Sequence, residues 1–104
     1  MIRFDIKDIA EKVVLTFDFS AGLAVGETLT SVQSTLVSVL VGRDGAPHAI
    51  LNGAATIDTT GTLVFVPVQN GVADCDYTIK AVCVTSNASK ILALSAILPV
   101  RAIN

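Results

Sequence analysis

Tryptophan is absent from this chain, histidine occurs once, at His48, and the basic residues are few and scattered. Each shortage excludes something. A single histidine cannot form the paired imidazoles of a His-based zinc or iron centre. Cys75 and Cys83 stand eight residues apart, the wrong spacing for a CxxC ligand pair. On one extended strand that interval spans about 27 Å, beyond the reach of a disulfide. A reducing compartment is therefore the simpler expectation. Arg3, Lys7, Lys12, Arg43, Lys80, Lys90 and Arg101 form no cluster. The basic stripe and stacking aromatics that nucleic acid asks for are missing. The longest apolar runs fall well short of a membrane span, and MIRFDIKDIAEK lacks the uninterrupted apolar stretch of a signal peptide. The sequence also holds no phosphate-cradling glycine loop, no GxSxG elbow and no HExxH helix.

Charge is sparse too. Only 15% of the residues are charged, against 52% apolar, and the formal net charge is -2. Soluble domains ordinarily carry about a quarter charged residues. Two explanations stand: a Val- and Ala-rich β domain with Thr and Ser on its wet faces, or a surface partly covered by other subunits, since permanent interfaces are more apolar than ordinary surface. With 104 residues the chain predicts one domain, 1–104, large enough for a two-layer core.

What is present is period-two alternation. The run VADCDYTIKAVCVTS, residues 72–86, sets Tyr77, Ile79, Ala81 and Cys83 on one face and Asp76, Thr78, Lys80 and Val82 on the other. It predicts a central strand. Residues 13–19 place Val13, Leu15, Phe17 and Phe19 on one side, and residues 62–68 alternate Leu63, Phe65 and Pro67 with three valines. Pro67 lacks a ladder donor, which predicts an edge strand or a strand end. Residues 28–41 are long and β-branched, which argues against helix; they predict either one strand with a bulge near Gln33 and Ser34 or two strands from different sheets. Residues 91–100 carry Leu92, Leu94, Ala96, Leu98 and Val100 on one side, with Pro99 marking the end. A helix there is conceivable on propensity, but the hairpin spacing after Asn87 favours a strand. At the N-terminus Ile2, Phe4 and Ile6 alternate with Arg3, Asp5 and Lys7, as in a short edge strand, and Asp8 with Glu11 suits a capped turn.

Turn signals at intervals of about ten residues and no helix of note predict an all-β, immunoglobulin-like β-sandwich of about seven antiparallel strands. Tyr77, near the start of the sixth strand, is expected to turn its hydroxyl back to the preceding loop as a tyrosine corner. Asp44, Asp58, Asp74 and Asp76 lie near turns; calcium binding by such loops is one meaning, and turn hydrogen bonding the more common one. Asn87-Ala88-Ser89 matches a glycosylation acceptor, which matters only in a secreted eukaryotic protein.

Four stretches, KDIAEKVVLTFDFSAGLAVGETLTS, HAILNG, GVADCDYTIKAVCVTS and LALSAILPVRAIN, give the chain a resemblance over almost its whole length. It resembles a family of small immunoglobulin-like structural proteins of tailed bacteriophages and prophages. Ile9 stands where relatives often carry Pro. The resemblance implies a non-enzymatic virion component, foremost a capsid decoration protein, with a neck, tail or fibre component or a receptor- or carbohydrate-binding module as alternatives. It implies assembly in the bacterial host cytoplasm, with major capsid or neck and tail proteins as partners and a homo-oligomer possible. No cofactor, metal, nucleic acid, membrane or small-molecule substrate is expected. The candidate partner contacts are Ile2, Phe4 and Ile6 at one terminus and Val100, Arg101 and Ile103 at the other, where either segment could add a strand to a neighbour's sheet edge.

Overall fold

In the computed structural model, which describes residues 2–103, two sheets face each other across one core. The strands are β1 (Ile2–Arg3), β2 (Lys7–Asp8), β3 (Val13–Asp18), β4 (Leu29–Val41), β5 (Thr56–Ile57), β6 (Leu63–Val68), β7 (Cys75–Thr85) and β8 (Ile91–Arg101). The larger sheet runs β1-β8-β7-β4, with β2 also on β8, and the smaller runs β3-β6-β5. The fold is an all-β sandwich, with β7 and β8 as the long central hairpin. Short 3-10 turns at Ser20–Gly22 and Pro47–Ile50 are the helical elements among the described residues, and no helix there is long and apolar enough to cross a membrane.

The alternation of β7 explains its place. Tyr77, Ile79, Ala81 and Cys83 are wholly buried, and Cys75 joins them. Opposite them β3 contributes Leu15 and Phe17, with Phe19 just beyond it, while β6 contributes Val64, Val66 and Val68. Cys75 and Cys83 are free thiols in this core, and burial pushes the Cys83 thiol up from its ordinary pKa.

β4 is one strand. Its register against β7 shifts between Leu29 and Ser31, between Val32 and Ser34, and between Val39 and Val41. The first two shifts move the inward parity from Leu29 to Val32 and back to Val37, so all three reach the core. Gly42 ends the strand at φ +96, where an added Cβ would lie 2.6 Å from the Cys75 sulfur.

Three local expectations need correction. The sandwich is not uniformly antiparallel: β1 and β2 both run parallel to β8. Pro67 lies in the central strand of its sheet, because β5 is only two residues long and pairs with Val64 and Phe65. The missing N–H falls past the end of β5, and the Pro67 carbonyl accepts from Asn52 N–H at 2.9 Å. Pro99 does not end β8, which continues to Arg101. The carbonyls of Ile97 and Arg101 accept from Phe4 and Ile9 N–H, so Pro99 directs its donorless nitrogen to that same side. The N-terminal strand is broken there, between β1 and β2.

Candidate interaction surface

Several titratable side chains hold turns. Tyr77 is fully buried; its hydroxyl accepts from Val72 N–H at 2.9 Å and donates to Asp44 Oδ2 at 2.7 Å. This is the geometry of a tyrosine corner, extended to a second loop. Burial, then the Asp44 carboxylate, raises the pKa of the phenol, while the phenol proton and Ala46 N–H hold Asp44 below its ordinary value. Asp58 accepts from the Thr60 hydroxyl and from Leu63 and Thr62 N–H, which brings its pKa down to about 2. Asp76 Oδ1 meets the Arg101 guanidinium at 2.9 Å, out of line for a hydrogen bond, and Arg3 stands 3.7 Å from Oδ2. Asp74 occupies a left-handed turn position, φ 65. Among the described residues no three His, Cys, Asp or Glu side chains converge to hold a metal ion. Asn87 closes the β7–β8 turn, its Oδ1 accepting from Ser89 N–H.

His48 and the cysteines do not meet as a dyad. The His48 imidazole accepts from Val37 N–H at 3.2 Å through Nε2, whereas the Cys75 thiol donates to the Arg43 carbonyl. A nitrogen that accepts is unprotonated, so the neutral ring carries its proton on Nδ1. His48 thereby closes one outward-facing donor on the free edge of β4.

The expected contact residues separate into two groups. Val100 is fully buried in the core and offers nothing to a neighbour. Arg101 is tied to Asp76 and donates to the Val100 carbonyl at 2.8 Å. Phe4 packs edge-on against Phe17, ring centroids 5.4 Å apart at 74°, a favourable aromatic geometry. Ile2, Ile6 and Ile103 stay exposed, at 41%, 55% and 59%. Both termini thus pair with their own sheet, and Met1 and Asn104 lie outside the described residues.

Lys7 was not foreseen. It is 2% exposed, and its ammonium donates to the Asp8 and Asn70 carbonyls, each at 2.7 Å. Burial lowers its pKa, opposed by the nearby Glu11 and Asp8 carboxylates. The N-terminal alternation sets Lys7 on the polar face with Arg3 and Asp5, opposite Ile2, Phe4 and Ile6. The break opposite Pro99 resets the parity, so Ile6 turns out and the Lys7 stem turns in. Next to it Asp8 N–H donates to Glu11 Oε1 at 2.7 Å, one half of a capping box, and Asp8 Oδ2 accepts from Ala10 N–H at 2.8 Å, around a turn that leads into β3. An open groove of about 300 Å³ lies here, walled by Phe4, Ile6, Val13, Leu15 and Leu98 with Lys7 and Glu11.

Toward the β7–β8 turn the outer face of the larger sheet carries little charge, whereas Asp76, Arg101 and Arg3 gather at its other end. Cross-strand register sets Val84 beside Ile91, Val82 beside Ala93, and Leu36 beside Lys80. Ile91 is 57% and Leu36 48% exposed. Lys80 is the one charge in these three rows. No protein-family model, curated protein or solved structure matches the chain.

Proposed function

We propose that the protein is a non-enzymatic structural component of a tailed-phage particle, foremost a capsid decoration protein. The carrying observation is the half of the larger sheet's outer face nearest the β7–β8 turn, where Leu36, Val82, Val84, Ile91 and Ala93 meet solvent around Lys80, the one charge in those rows. Desolvating such a face costs little, because few charges must lose their water. The commitment of Tyr77, Asp44, Asp58 and His48 to backbone turns and edges supports a scaffold role, and the resemblance of GVADCDYTIKAVCVTS and its companion stretches supports the phage setting. On a lattice, many weak contacts of this kind add through high local concentration.

The test is quantitative mass spectrometry of purified particles, alongside particles assembled with an Ala93→Glu variant. A decoration protein is present in fixed ratio to the major capsid protein, and Ala93→Glu, exposed and away from the core, lowers that ratio without changing the thermal midpoint. A few copies per particle would move the assignment to the neck or tail. Absence from the particles would overturn it.

A further inference from the structure

The outer edge of β3 is open, and its chemistry specifies an occupant. Val13, Leu15 and Phe17 pair with Val68, Val66 and Val64 of β6, and Phe19 N–H donates to the Thr62 carbonyl. In an antiparallel ladder the intervening residues turn their N–H and C=O groups the other way. Val14 and Thr16 therefore present two donors and two acceptors to the side where no strand of the described chain lies. In an immunoglobulin sandwich the first strand can cover this edge; here β1 and β2 pair with β8 in the opposite sheet. Groups spaced in this way are met by another extended backbone.

We propose that this edge binds the β3 edge of a second copy, antiparallel about a two-fold axis at Leu15. That register sets Val14 of each copy opposite Thr16 of the other, completing four N–H···O bonds. It also sets Lys12 of each copy opposite Asp18 of the other. All four side chains are exposed on the outer face, Val14 at 61%, where directly opposed residues interact. An axis at Thr16 instead would oppose Lys12 to Ser20 and Asp18 to Val14, with no ion pair. Charge complementarity therefore selects both the partner and its register. The product is a continuous sheet of six strands, an isologous dimer.

Sedimentation equilibrium from micromolar to millimolar protein tests this, using the wild type, Lys12→Asp, Asp18→Lys and the double exchange. The wild type should dimerise, and less tightly at high salt. Each single reversal opposes like charges twice per dimer and should weaken association about tenfold, while the double exchange should restore it. Lys12 flanks the strand and makes no core contact, so Lys12→Asp remains informative even if Asp18→Lys, which loses the bond to Ser20 N–H, disturbs its turn. A wild type monomeric to millimolar concentration, a trimer, an unchanged dimer in Lys12→Asp, or a folded double exchange as weak as the single variants would each overturn the proposal.

Discussion

The edges of β4 and β3 solve the same physical problem in opposite ways. β4 is thirteen residues long with exposed Leu36, Leu40 and Val41, the kind of edge that invites a foreign strand. It is interrupted by three register shifts, and the segment that follows it folds back so that the His48 ring takes the Val37 donor. β3 is six residues long, without a register shift, and its outward groups are left bare. A long, greasy edge is bent and plugged, while a short one flanked by Lys12 and Asp18 is left available. The lesson is that guarding follows length and apolarity, and that an unguarded regular edge is where pairing with another chain meets least resistance.

The comparison can be broken most severely from beneath β3. Phe17 is wholly buried and supports both the small sheet and Phe4. Phe17→Ala should cost about 3–5 kcal/mol, read from urea unfolding, with the loss of β3 and the N-terminal strand's packing. A cost below about 1 kcal/mol would mean that the core closes around the gap. At the other edge, Tyr77→Phe removes the hydroxyl that joins Asp44, just past β4, to Val72. Leaving those groups without their partner should cost about 1–3 kcal/mol.

Amide hydrogen exchange sharpens the comparison directly. In the monomer Val14 and Thr16 amides should exchange fast and Val37 slowly. His48→Ala should bring Val37 to the fast class while lowering stability by about 0.5–1.5 kcal/mol. An unchanged Val37 rate would assign its protection to the chain segment lying across β4 rather than to the imidazole. The smallest effect lies in the turn between β5 and β6. Asp58 titrates at about 2, below its ordinary 3.8. Its contribution is complete above the ordinary value and is lost as pH falls through about 2. The stability gap between wild type and Asp58→Asn should therefore narrow between pH 4 and pH 2, and a gap constant over that range would remove the carboxylate from the account.

Much of the sandwich was legible because strand burial writes itself in alternate residues. Tyr77 to Cys83 and Leu92 to Val100 declare their inward faces without any partner in view, and the bulge at Val32 and Ser34 shows as a change of parity within one β-branched run. The N-terminal segment was legible only as strand-like. Its two-residue pieces give too short a pattern for the slip after Phe4 to be seen, so the burial of Lys7 could not be read from it. Val100 was misread for a related reason: it is apolar and near the terminus, but whether such a residue is a free end or core depends on β2 pairing beside it.

By itself, then, the sequence determined the two-layer β class, the inward residues of the long strands and the positions of the turns, since these depend on local period and on Gly, Pro and Asp chemistry. Tertiary structure alone decided that β1 and β2 lie parallel on β8 rather than beside β3, that Pro67 and Pro99 sit where a neighbour has ended or broken, and that His48 closes one edge while the other stays open. Those choices are made by hydrogen-bond groups from distant parts of the chain competing for the same partners, and no local pattern records the outcome.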